Sequence, residues 1–220
     1  MITLENYTKL IFEDNKHHLD ALLKIVTKTH IDHAQPGFLE GNCMYDNCTI
    51  NINPVFYNKQ LNIFNTVLNS KTAVEVGVNA GHSLLIMLLA NPSLIIYGFD
   101  ICIHPYTKPC VNYLNSYFGN RINLIEGNSK LTMPKFIQDN PNLTIDFFHI
   151  DGMHEMDTDH DFQNSYKLAK NNSIMLWDDS NNNILNTLWN KYINEGKIED
   201  ITNQYLPTYT HQHTIGLIKK

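Results

Sequence analysis

The sequence predicts an α/β fold: a mostly parallel sheet with helices on both faces and an antiparallel hairpin at the C-terminal end. Three observations predict it. From residue 72 onward, short apolar runs alternate with helical stretches, in the order TAVEVG, LIIYGFD, INLIEG, IDFFHID and SIMLWDD. Each run ends in Gly or Asp, the residues that turn a chain out of a strand. The tail, KIEDITNQYLPTYTHQHTIGLIKK, reads as two strands joined by a long turn. Strands alternating with helices imply right-handed crossovers and a sheet covered on both sides.

A chain of 220 residues suits one domain of ordinary size. Within it, residues 1–70 are expected to form an N-terminal helical cap or lid, and residues 71–220 the main domain. Leu4, Tyr7, Leu10 and Ile11, then Leu19, Leu22, Leu23 and Val26, recur at helical spacing. The stretch between His30 and Pro54 carries turn signals (QPGFLEGNC). A further helix is expected from Pro54 to Leu68, with Pro at its start, and another from Ile184 to Tyr192. No internal repeat or low-complexity linker divides the chain.

Hydrophobic residues make up 43% and charged ones 17%, a globular composition. Net charge is -6, and the 16 basic residues form no run, which argues against extended contact with nucleic acid. No apolar stretch approaches the roughly 20 residues needed to span a bilayer. The acidic, amphipathic start is unlike a secretory signal or a basic transit peptide, so a cytoplasmic protein is expected. Cysteines occur at 43, 48, 102 and 110. Free thiols are the expectation, and the Cys43/Cys48 pair is too isolated for a zinc site.

Ligands of such sheets bind beyond the carboxyl ends of the strands. The first end reads VEVGVNAGHS. Gly77 can turn sharply after the strand, and Gly81 lets the next helix begin close to a ligand. Asn79 stands where a dinucleotide fingerprint wants its second Gly, and Glu75 is unusual for a dehydrogenase. The second end places Asp100 about twenty residues beyond Gly81, where a carboxylate can accept from ribose hydroxyls. The third, IEGNS, offers Asn128 and Ser129, either to a nucleobase or simply as a helix cap.

Together these three ends resemble the class I S-adenosylmethionine-dependent methyltransferases, over roughly residues 72 to 220. The resemblance implies a Rossmann-like, seven-stranded sheet closed by the terminal hairpin. It also implies that Glu75, Gly77, Asn79, Gly81 and Ser83 shape the methionine side. Asp100 would hold the ribose, Asn128 and Ser129 would flank adenine, and Asp151 would border the cofactor.

The fourth strand delivers Asp151 at its carboxyl end, and the fifth delivers Asp178 and Asp179. If these strands are neighbours, their ends lie about 5 Å apart. Three converging carboxylates are costly unless a cation neutralises them, and hard oxygen ligands suit Mg²⁺ or Mn²⁺, or Ca²⁺. Each Asp alone also reads as a helix cap. His154 follows Asp151 in a D-x-x-H step that can turn both toward one pocket. IDGMH and the acidic helix after it resemble the metal-dependent, macrocin-type sugar O-methyltransferases, and more distantly catechol O-methyltransferase. Asp178-Asp179 departs conservatively from the Glu-Asp found in the sugar enzymes. That resemblance implies a metal on Asp151, Asp178 and Asp179, a polyhydroxylated acceptor such as a sugar, and catalysis by Asp151 and His154. The metal lowers the pKa of an acceptor hydroxyl, and His154 is the general base.

Other ionisable residues read more plainly. His149 lies within an apolar strand and is expected as a hydrogen-bonded core residue. Glu155, Asp157, Asp159, His160 and Asp161 read as a solvated helix start, with Asp159, His160 or Asp161 open to an inward orientation. His211 and His213 alternate on one strand face. Tyr205, Tyr209, His30 and His33 are candidates to line an acceptor pocket. Competing functions are a non-catalytic cofactor-binding or interaction module, a catechol-like methyltransferase and a nicotinamide-dependent oxidoreductase. Glu75, Asn79, the glycine spacing and the terminal hairpin disfavour the last. The N-terminal helices are of the kind that builds a homo-oligomer.

Overall fold

The computed structural model describes residues 1–33, 42–45, 51–152, 158–209 and 212–220, with backbone only for residues 30–33. Seven strands form one sheet: β1 (Thr72–Val76), β2 (Ile95–Asp100), β3 (Ile122–Glu126), β4 (Ile145–Ile150), β5 (Ala169–Trp177), β6 (Ile198–Asp200) and β7 (Thr214–Ile218). Their spatial order is β3-β2-β1-β4-β5-β7-β6. The first five are parallel, and β7 runs antiparallel between β5 and β6. The strand order reverses between β1 and β4, which makes their carboxyl ends the switch point where ligands bind.

The helices are α1 (Leu4–Thr8), α2 (Lys16–His33), α3 (Tyr57–Thr66), α4 (His82–Ala90), α5 (Thr107–Phe118), α6 (Ser129–Asp139), α7 (Asp159–Leu168) and α8 (Asn183–Asn194). Thr3 caps α1 by accepting from the Asn6 N–H at 3.2 Å. A wider π-helical segment over Lys9–Asp14 precedes α2. The helix expected from Pro54 to Leu68 divides into a short 3₁₀ turn at Pro54–Phe56 and α3. Apolar on every side, α4 buries His82 through Leu88 because it lies on the sheet beneath α2 and α3. β5 begins earlier than the apolar run predicts, at Ala169. The extra residues are absorbed in a register shift, bridged by the Ser173 hydroxyl donating to the Ile145 carbonyl at 2.7 Å.

Two apolar layers cover the sheet. On one face Tyr7, Ile11, Leu22 and Leu61 pack with Leu84, Ala73, Phe147 and Leu176. On the other, Val74, Phe148, Met175 and Trp177 pack with Phe162, Trp189 and Tyr192. Residues 1–70 therefore supply part of the cover of the first face. Strand alternation places Glu75 and His149 on that same face, with Asp178 next along from Leu176. Among the described residues, no helix is long and apolar enough to cross a membrane, and Cys43, Cys102 and Cys110 are free.

Candidate active site

After β1 the chain turns through three left-handed residues, Gly77 (φ 88°), Asn79 (φ 51°) and Gly81 (φ 77°). A Cβ on Gly77 would stand 2.0 Å from the Asp151 carbonyl oxygen, so only glycine lets the loop pass the end of β4. Asp100 fixes the loop from behind. Its Oδ2 accepts from the Val78 and Asn79 amides at 2.8 and 2.9 Å, and its Oδ1 from Cys102 at 2.6 Å. The Cys102 side chain also hydrogen-bonds this carboxylate, so Asp100 is engaged on both oxygens by the loops around it. Gly77, Asn79, Gly81, Ser83 and Asp151 line one pocket, joined by Cys43 and His82. At the next strand end Asn128 caps α6, its side-chain oxygen accepting from Lys130 N at 2.9 Å, and Ser129 opens that helix.

Below the pocket a buried polar seam runs between the sheet and α3. His149 Nδ1 donates to Glu75 Oε1 at 2.7 Å, and neither residue has any exposure. Among the described residues, Glu75 Oε2 and His149 Nε2 are left buried without a hydrogen-bond partner. The Asp151 and Asp178 amides donate to Val76 and Ile150 carbonyls at 2.8 and 2.9 Å, continuing the ladders past the strand ends. As expected for neighbouring strands, the two carboxyls meet. Ligand atoms of His149, Asp151 and Asp178 lie within 4.8 Å of one another.

Into this cluster reaches Lys59, from α3, only 4% exposed, with its ammonium in contact with Asp178 Oδ2. Burial pushes the Asp151 carboxyl well above its ordinary range, and the neighbouring Asp178 adds to this. Burial acts on Asp178 in the same sense, but the Lys59 ammonium outweighs it and holds Asp178 well below the usual range. For Lys59, Asp178 and Asp151 outweigh the burial that would discharge it, so it stays cationic. The two carboxyls are thus pushed in opposite directions, with the Lys59 charge on the Asp178 side. His213 is a neighbour of this group. Its Nε2 accepts from Asn62 Nδ2 at 2.8 Å, and burial pushes its pKa down to about 3, so it is neutral.

Of the residues singled out in the sequence, the structure gathers Gly77, Asn79, Gly81, Ser83 and Asp151 at one pocket, with Glu75 and Asp178 beneath it. Asp179 stands outside the three-residue group. It adopts a left-handed conformation (φ 49°), and its amide donates to Asp178 Oδ1 at 2.9 Å. His149 is the expected hydrogen-bonded core residue and also a member of the cluster, which strand alternation with Asp151 foreshadows. Asp159 accepts from Tyr192 and Gln163, while Asp161 turns inward and is buried. Tyr205 is half-buried and Tyr209 exposed. His154, Glu155, Asp157 and His211 lie outside the described residues, as do Cys48 and the side chains of His30 and His33. Sequence reasoning missed Lys59. Its neighbours Gln60 and Asn62 are buried too, so α3 shows no polar face that would have marked it.

Residues 74–180 match the family described as "Methyltransferase domain". The chain is 31% identical over 114 residues to "Probable caffeoyl-CoA O-methyltransferase 3" of Dictyostelium discoideum, which is 51% of this chain and 45% of that protein. The chain thus spans a little under half the length of that relative. An O-methyltransferase from Bacillus cereus, solved with S-adenosylhomocysteine, shares the fold at TM-score 0.65 and 11% identity, over 97% of this chain and 96% of that one. The TDP-rhamnose 3'-O-methyltransferase CalS11 of calicheamicin biosynthesis shares it at TM-score 0.62 and 17% identity, over 93% and 94%. The domain match lies across β1 to β5, a little under half of the chain, and the seven-stranded sheet is the fold that these methyltransferase structures share.

Proposed function

We propose that the protein is an S-adenosylmethionine-dependent O-methyltransferase acting on a hydroxyl of a small polyhydroxylated acceptor, a sugar or sugar nucleotide. One observation carries the reading. Asp151 lines the same pocket as Gly77 through Ser83, so the carboxylate cluster lies directly against the loop that would receive the cofactor. The residues fit a cationic ligand. Among the described residues, Glu75 Oε2 is a buried acceptor without a partner. S-adenosylmethionine, when bound there, supplies a methyl group already activated on a sulfonium.

The chain's own residues do the rest. The Asp151 carboxyl, which lines the pocket, binds and orients the acceptor hydroxyl, which converts an encounter into a positioned reaction. His154, three residues past Asp151, takes the proton of the reacting hydroxyl. The sugar acceptor rests on the resemblance in IDGMH and the paired Asp178-Asp179. The caffeoyl-CoA relative supports a phenolic, catechol-like acceptor as the alternative. A cytoplasmic location and assembly through the N-terminal helices belong to the same proposal.

A second reading adds Mg²⁺ or Mn²⁺, on the observation that His149, Asp151 and Asp178 offer ligand atoms within 4.8 Å. The donor set as it stands does not fit such an ion, because an ammonium already contacts Asp178. The acceptor chemistry is therefore assigned to side chains alone.

Calorimetric titration with S-adenosylhomocysteine tests the cofactor reading, and absence of binding sinks it. Methyl transfer to a panel of nucleotide sugars and catechols then identifies the acceptor. Binding with no transfer to any hydroxyl in the panel favours the non-catalytic module instead.

A further inference from the structure

The carboxylates at the acceptor end have a counter-cation built into the chain. Lys59 is one of the most buried charged residues described, and its ammonium touches Asp178 Oδ2. The other oxygen of Asp178 accepts the Asp179 amide at 2.9 Å, so both are engaged. The backbone that carries Lys59 is pinned on both sides. Gln60 donates to the Cys43 carbonyl at 2.6 Å and accepts from the Tyr7 hydroxyl at 3.1 Å. Asn62 donates to His213 and to the Leu206 carbonyl, each at 2.8 Å, and accepts from the Leu206 amide at 3.0 Å. These contacts hold α3 against the sheet with Lys59 aimed into the cluster.

A divalent ion there would need oxygen ligands on most sides at about 2.1 Å, for the smallest of the suitable ions. It would find one carboxylate already neutralised and a like charge beside it. Asp179, the third ligand anticipated from sequence, is outside the group. We infer that Lys59 takes the place of a divalent cation at Asp151 and Asp178, so that this protein excludes the metal and transfers methyl groups without one. An ammonium has three N–H groups. One serves Asp178, and the positive charge beside Asp151 would stabilise negative charge developing on an acceptor oxygen held there. The inference deepens the proposed function, but its claim about the cation site stands without it.

The test follows Mn²⁺ uptake by paramagnetic resonance in wild type, Lys59→Met, Lys59→Arg and Lys59→Met/Asp178→Asn. Wild type and Lys59→Arg should leave the spectrum of free Mn²⁺ unchanged. Lys59→Met should take up one equivalent, and Asp178→Asn added to it should abolish that uptake. Uptake of one equivalent by the wild type, lost on Asp178→Asn, overturns the inference, and this arm needs no Lys59 variant to fold. A folded Lys59→Met that binds no Mn²⁺ also overturns it, since removing the ammonium would then not create the site. S-adenosylhomocysteine affinity, measured on the same samples, reports separately on the methyltransferase reading. Where an acceptor has been found, wild-type rates should be equal in chelator and in Mg²⁺, and a rate that needs Mg²⁺ counts against the inference.

Discussion

Glu75 and His149 stand opposite one another in register on β1 and β4, joined at 2.7 Å, and neither is exposed to solvent. Burying two such groups is costly, and removing one partner leaves the other uncompensated. Glu75→Ala, which leaves the His149 donor buried and unsatisfied, should therefore lower the free energy of unfolding by about 1–3 kcal/mol, and Glu75→Gln, which keeps an acceptor for His149, by less. Urea titration of the three proteins measures this. A loss below about 1 kcal/mol for Glu75→Ala, the size of an ordinary substitution, would show that the pair contributes little.

Gly77 separates steric fit from backbone strain. Its φ of 88° is unfavourable to any L side chain, and a Cβ would collide with the Asp151 carbonyl at 2.0 Å. Gly119 has a comparable φ of 75° with nothing within 4 Å of the position a Cβ would take. Gly119→Ala should thus cost only the left-handed strain, about 1–2 kcal/mol, and leave S-adenosylhomocysteine affinity unchanged. Gly77→Ala should displace the end of β4 and weaken that affinity by at least about tenfold, or about 1.4 kcal/mol. Equal affinities in the two variants would detach Gly77 from the cofactor site.

What was legible in the sequence follows from what is local. The five parallel strands and their carboxyl ends could be read because each is a short apolar run closed by Gly or Asp. The meeting of Asp151 and Asp178 followed once those runs were taken as neighbours. His149 was readable as core from its apolar setting, and period-two alternation puts it on the side of Asp151, while its pairing with Glu75 depends on the register of β1 against β4. Lys59 was not readable. Nothing within Tyr57–Thr66 distinguishes a lysine that salt-bridges across the molecule from one in water, because α3 buries Lys59, Gln60 and Asn62 together with Leu61, Ile63 and Phe64. The place of β7 between β5 and β6 was also non-local. The sequence shows two terminal strands but not which one meets the parallel sheet.

Asp100 serves the loop before it serves any ligand. Three backbone amides, of Val78, Asn79 and Cys102, converge on its carboxylate at 2.6 to 2.9 Å, the range of charge-assisted bonds. Asp100→Asn keeps the shape but replaces one acceptor oxygen by a donor. The Val78 and Asn79 amides should then exchange with deuterium faster than in the wild type, and S-adenosylhomocysteine should bind about tenfold more weakly. Weaker cofactor binding with unchanged exchange would mean that Asp100 acts on the ligand alone.

Acid should destabilise the protein through its buried histidines before most of its carboxylates respond. Burial pushes the His82 pKa down to about 4 and that of His213 to about 3, against roughly 6.5 in an unfolded chain. Above pH 6.5 both states are neutral and these residues contribute nothing to the pH dependence. Below it the unfolded chain takes up protons that the folded one refuses, so stability falls as pH drops toward 4. His82 meets the Tyr45 ring edge-on, and among the described residues its Nε2 has no hydrogen-bond partner, so Phe is a suitable replacement. The stability of His82→Phe relative to wild type should rise between pH 6.5 and 4, by about 3 kcal/mol at the acid end. Asp151, whose raised carboxyl acts with the opposite sign, is common to both proteins and cancels in the difference. Urea titrations at several pH values across that window decide the matter, and a difference that does not change with pH would mean that His82 accepts its proton in the folded state as readily as in the unfolded one.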